Sequence, residues 1–361
     1  MQTFGIPVIL WVLVCMPVLQ VVGFVIFVDS TTFLRTPQGF LLQSLRPLAS
    51  LGALVVIAAL LPRFQGRRRW AWVASLLWIF FNLVFSLDRI IAGSATPTQL
   101  TSILPLIIYG CALTAIALHI GYREWWLGST LRVVLDGVVI AFASFVIIRE
   151  MVTLLVRDGA VRSEAQVIVP YLALDMGLLF AVAAGGWRLG RGYRPVIAFT
   201  LLSLLCLLIA DSFYLLFSLG VWVNGLQWVL QPLFSFQVIL IAFAAYHNAI
   251  TPASPAPAVP MPLGNWMIWT FLPQTLLLST FLFAALLGDV SPLLLLSLFG
   301  VTLLHAVVAE VDRWRVVRSV STAVSAERQA RNAVQDAVER LRSQLRLVRF
   351  FEHELKGAVA T

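Results

Sequence analysis

Runs of about twenty apolar residues follow one another along most of this chain, broken only by short polar turns. Few folds accept that pattern. A helix that crosses a bilayer needs about 20 mainly apolar residues, because only a helix satisfies its own backbone hydrogen bonds in lipid. By that measure the sequence predicts ten spans. They are Phe4–Val28, Leu45–Leu61, Ala71–Leu87, Leu100–Ile120, Leu131–Ile148, Val167–Gly186, Val196–Leu219, Leu226–Tyr246, Trp266–Leu287 and Pro292–Ala309. The composition agrees: 60% apolar residues and 12% charged exclude an ordinary soluble domain. The first run starts almost at once, lacks a basic leader and is long enough to span, so no cleavable signal peptide is expected. The expected class is all-α, a polytopic transmembrane helical bundle followed by a cytoplasmic amphipathic coiled-coil helix.

Arginine sets the orientation. Arg63, Arg67, Arg68 and Arg69, then Arg123 and Arg132, then Arg188, Arg191 and Arg194 fall on one side of the predicted spans. Arg35, Arg46, Arg89, Arg149, Arg157 and Arg162 are spread more thinly on the other. The denser set continues into Arg313, Arg315 and Arg318, so placing it inside puts both termini in the cytoplasm and makes the span number even. The net charge of +8 is thus explained by topology, and no nucleic-acid partner is expected. Residues 1–247 form an eight-span region, and 248–265 a proline-rich cytoplasmic linker. Residues 266–310 form a last helix pair, and 311–361 a cytoplasmic helix. The lipid bilayer of the cell's inner membrane is the first expected partner.

Three acids interrupt the apolar runs: Asp136, Asp175 and Asp211. A charge at the bilayer centre costs at least about 2.5–3.5 kcal/mol on insertion scales, so such groups turn inward and find partners. Asp136 lies near a span end, four residues from Arg132, and an interfacial ion pair accounts for it. Asp175 and Asp211 fall near mid-membrane, where they either line a sensory or ion pocket or knit helices together as protonated acids. His119, His247 and His305 lie near the ends of different spans. Cys15, Cys111 and Cys206 have no metal-type spacing, so no metal is predicted.

Val334, Val338, Leu341, Leu345, Val348 and Leu355 recur in steps of four and three, the a/d pattern of a coiled coil, with Glu352 at one a position. His353 then falls at b, one step off the seam. Phe351-Glu352-His353-Glu354-Leu355-Lys356 resembles the H-box of bacterial histidine kinases, the first helix of their dimerisation and phosphoacceptor domain. Ala358 stands where that motif has proline, Val359 where it has leucine, and Gly357 where phosphatase-competent members carry Thr or Asn. The resemblance implies that His353 is the phosphoacceptor and Glu354 its supporting acid. It also implies a homodimer through the coiled coil, ATP as phosphoryl donor, and a response-regulator receiver domain as partner.

Leu135-Asp136, Tyr171 with Asp175, and Ala210-Asp211 with Tyr214 also resemble a multi-span input domain of actinobacteria-like sensor proteins. That domain precedes kinase or cyclic-dinucleotide output domains. Pro170 precedes Tyr171 here, whereas the pattern has proline after tyrosine. No glycine-rich ATP lid or nucleotide-binding asparagine box is found, so the chain reads as the input and phosphoacceptor part of a longer kinase. Two alternatives stay open: the sensor of a cyclic-dinucleotide enzyme, and a transporter-like protein with a regulatory coiled-coil tail.

Overall fold

The computed structural model describes residues 5–27, 37–91, 99–120, 127–155, 163–186, 193–219, 227–251, 273, 275–280 and 292–359. At several helix ends, at some positions between 312 and 323, and from residue 350 onward, only the backbone path is described. Among these residues there is no strand. The helices are α1 (Gly5–Phe27), α2 (Pro37–Leu60), α3 (Gly66–Ile91), α4 (Gln99–Ile120), α5 (Leu127–Leu155), α6 (Ser163–Gly186), α7 (Arg194–Ser218), α8 (Gln227–Ile250) and α9 (Pro292–Val359).

The first eight expected spans fall on α1 to α8, with one notable shift. α2 begins at Pro37, eight residues before the first residue of the predicted span, so Arg46 lies well inside the helix and not at its start. Six helices are long and apolar enough to cross a membrane, and Ile103–His119 and Leu296–Val311 are shorter apolar stretches. Their outward faces stay apolar: Trp11 is 68% exposed, Leu106 61% and Leu296 68%. Helices of this length and composition, greasy on the outside, belong in a lipid bilayer. The proline-rich segment from residue 252, and most of the predicted ninth span, lie outside the described residues.

The bundle is built from helical hairpins. α3 packs on α4, α5 on α6 and α7 on α8, and α1 and α2 close onto α8. Small residues permit close approach. Ala49 and Ala53 of α2 and Ala242 and Ala245 of α8 are fully buried in one core with Ile57 and Leu204. The tightest crossing is between α5 and α6. A Cβ placed on Gly177 would lie 2.5 Å from the Gly137 carbonyl oxygen, and one on Gly137 would lie 2.9 Å from the Gly177 carbonyl oxygen. Between α2 and α3 the chain makes a 3-10 turn at Leu61–Arg63, where the Phe64 N–H donates to the Leu61 carbonyl at 3.1 Å. Gly66 then starts α3 at φ 55°, a left-handed conformation that glycine adopts without a Cβ clash.

Prolines lie inside α1 (Pro17), α2 (Pro47), α4 (Pro105), α6 (Pro170) and α8 (Pro232). Each is tolerated because neighbouring helices and side chains take up the freed backbone groups.

The chain divides into two compact units, Met1–Ala306 and Val307–Thr361. Within the second, α9 carries a row of apolar side chains, Val334, Val338, Leu341, Leu345 and Val348, between 43% and 64% exposed. Arg331 donates to Glu327 at 2.7 Å on the same helix. An exposed i,i+4 pair of this kind contributes only about 0.3–0.5 kcal/mol, so the segment's stability must come from elsewhere.

Candidate functional site

Two buried polar clusters hold the acids that the sequence singles out. The first forms around Asp175 of α6, which is 0% exposed. The Tyr109 hydroxyl of α4 sits 2.6 Å from Asp175 Oδ1 and 3.2 Å from the Tyr171 carbonyl oxygen. With one proton to give, it serves the shorter contact. The Tyr109 and Tyr171 rings stack at 6.0 Å, which fixes the hydroxyl over the carboxyl group.

Asp211 of α7 lies within hydrogen-bonding reach of Asp175. Asp175 Oδ2 is buried and meets no N–H or O–H donor among the described residues. Arg46 of α2 is close enough to Asp211 to act on it electrostatically. Its guanidinium lies 4.2 Å over the Phe234 ring, and Nη1 is 3.5 Å from Gln231 Oε1. The arginine thus ties α2 to α8 beside the acid pair. From there Ser235 Oγ donates to Gln20 Oε1 at 2.8 Å, and Gln20 Nε2 to the Leu42 carbonyl at 3.1 Å. Six helices meet in this network.

The second cluster centres on Asp136 of α5. His305 Nε2 lies 2.5 Å from Asp136 Oδ1, and Arg132 Nε 4.0 Å from Oδ2. All three residues are buried. A carboxylate only accepts, so His305 carries its proton on Nε2 and donates it, a charge-assisted bond of the strong kind. The expected Arg132–Asp136 pair is present, but it sits inside the bundle rather than at its rim, and His305 makes the closer contact. Residues 132, 136 and 140 are all buried on α5, and His305 of α9 reaches Asp136 there.

Asp175 and Asp211 therefore share one site, while Asp136 belongs to another. His353 and Glu354 fall on the helical backbone of α9, and their side chains lie outside the described residues. Sequence reasoning missed Tyr109, and it named Arg46 and His305 without placing either beside an acid. A tyrosine in the run Ile107-Ile108-Tyr109-Gly110 was a usable signal for the first, since a hydroxyl among aliphatics needs a partner. Among the described residues no group of three His, Cys, Asp or Glu could hold a metal ion. Comparison with protein-family models, with curated proteins and with solved structures finds no match for the chain.

Tyr109→Phe tests how far the first cluster holds the bundle together. It leaves a buried carboxyl oxygen without its donor, at an expected cost of about 1–3 kcal/mol. The unfolding midpoint in mild detergent measures it. An unchanged midpoint would mean the contact does nothing for stability.

Proposed function

We propose that the chain is the membrane input module and phosphoacceptor helix of a sensor histidine kinase. The observation that carries this reading is the row of exposed apolar side chains on α9. A row repeating in steps of four and three asks for an identical row opposite, and a second copy of the chain supplies one as a coiled-coil homodimer. Counting along that seam puts His353 off it, open to a nucleotide-bearing catalytic domain. Its imidazole nitrogen attacks the γ-phosphorus of ATP. The N–P bond forms as the bond to ADP breaks, and Glu354 holds or takes the imidazole proton. The phosphoryl group then passes to an aspartate on a receiver domain. Input comes from the bundle, ten spans in the cell membrane with both termini cytoplasmic. Asp175, Asp211 and Asp136 are its candidate sensing groups.

The test is phosphate incorporation in membranes of the native host, where kinases acting in cis and in trans are both present. Wild-type chain is expected to gain acid-labile phosphate from ATP, and His353→Gln to lose all of it while remaining dimeric. Acid-labile label that persists on His353→Gln, or none on the wild type, overturns the reading.

The Asp175–Asp211–Arg46 cluster also favours a second reading, a transporter, since a polar site among helices is where a substrate would bind. In that case Asp175→Asn would abolish substrate uptake into proteoliposomes, and His353→Gln would change nothing.

A further inference from the structure

The arginine-rich end of the bundle holds a third polar cluster that neither reading uses. Arg68, in the first turn of α3, donates through Nη2 to Asn248 Oδ1 near the end of α8. The guanidinium carbon lies 5.2 Å from the Phe64 ring, and Phe64 stacks on Trp72 at 5.6 Å. Trp72 in turn meets His119 of α4 edge-on at 4.6 Å. Three elements and the turn before α3 thus converge on one spot.

The spot is full of donors and short of acceptors. Arg68 Nε, Asn248 Nδ2 and Trp72 Nε1 are buried, and none has a hydrogen-bond partner among the described residues. Trp72 is 2% exposed and Asn248 1%. The Asn248 side-chain acceptor, Oδ1, is already taken by Arg68. No ion pair joins Arg68 to a described carboxylate. A buried donor left empty costs about 1–3 kcal/mol, and an unbalanced guanidinium more. Arg68 and Asn248 lie side by side with a spare donor each, and Trp72 follows one turn along α3; together they suit an anion with several oxygens. Exposed Arg67 and Arg69 flank Arg68 in the first turn of α3, the positive end of the helix dipole.

We propose that Arg68, Asn248 and Trp72 bind a phosphate-type oxyanion, either the headgroup of an anionic phospholipid or free phosphate. A tetrahedral oxyanion offers acceptors in several directions, as donors from two helices require. Basic pockets between helices at the cytoplasmic face are where lipid phosphates dock.

The test uses the full chain, purified in detergent and stripped of lipid. Phosphatidylglycerol, phosphatidylcholine and sodium phosphate are titrated back, with bound molecules counted by native mass spectrometry. Wild type is expected to bind phosphatidylglycerol saturably and in preference to phosphatidylcholine. Asn248→Asp gives Arg68 an internal counter-ion and repels the ligand, so binding should weaken by about tenfold. Trp72→Phe keeps an aromatic ring while removing the N–H with the pyrrole part of the indole, and should weaken it by about threefold. If Asn248→Asp fails to fold, Trp72→Phe reads the site alone. Phosphatidylglycerol that sodium phosphate cannot displace assigns the lipid source. Saturation by sodium phosphate alone assigns the free anion. No saturable binding of either probe, or equal binding by wild type and the folded variants, overturns the site.

Discussion

Asp136→Ala is expected to destabilise the bundle by about 3–5 kcal/mol, because it strands the buried His305 donor and removes the negative charge beside Arg132. His305 Nε2 lies 2.5 Å from Asp136 Oδ1 and Arg132 Nε 4.0 Å from Oδ2, and all three residues are buried. With the carboxylate gone, the His305 N–H keeps its desolvation cost without a partner, and the Arg132 guanidinium loses a counter-charge. Asp136→Asn separates charge from hydrogen bonding. Its amide oxygen still accepts from His305 Nε2, so the loss should be smaller than for alanine. Unfolding midpoints of the two variants in mixed micelles check the order. A midpoint for Asp136→Ala equal to wild type would mean that water or lipid headgroups already satisfy these donors.

Gly177→Val should do comparable or greater damage by a different route. The new Cβ would sit 2.5 Å from the Gly137 carbonyl oxygen and 2.8 Å from the Ala141 Cβ, backbone and short side chain that cannot swing aside. α5 and α6 would have to separate along the whole hairpin. Overpacking a dense core costs typically about 1–3 kcal/mol, and a clash against main chain belongs at or above the top of that range. Gly110→Ala is the matched control, because nothing lies within 4 Å of its added carbon. It should be neutral, or gain up to about 1 kcal/mol from helix propensity. Yield of monodisperse protein and the unfolding midpoint report both. Equal behaviour of the two variants would contradict the close approach of α5 and α6.

What the sequence reveals here is local, and what it hides is distant. Apolar runs fix where α1 to α8 lie, because a bilayer-length stretch of greasy residues has only one low-energy backbone. The Arg132–Asp136 pair is legible for the same reason: four residues on a helix is one turn. His305 is 169 positions from Asp136. Nothing in either segment announces the other, since the meeting depends on which helix packs where. Arg46 is legible as the start of a span, but its place over Phe234, far along the chain, is not. The acid pair shows the middle case. Asp175 and Asp211 stand out singly as costly residues, but only packing of α6 against α7 makes them one group.

The prolines inside the helices bear on how such a bundle can move. Pro47 follows Arg46, Pro170 precedes Tyr171, Pro232 follows Gln231, and Pro105 lies one turn before Tyr109. A proline removes one rung from the helix ladder and is the commonest origin of a sharp bend. Four helices that contribute to the Asp175 network therefore have their softest joint beside the residue that contributes. Bending one of them breaks fewer main-chain bonds there than anywhere else along its length. Any push or pull on this network is converted most readily into a change of helix angle at these prolines, with the remainder of each helix swinging as a stiff arm.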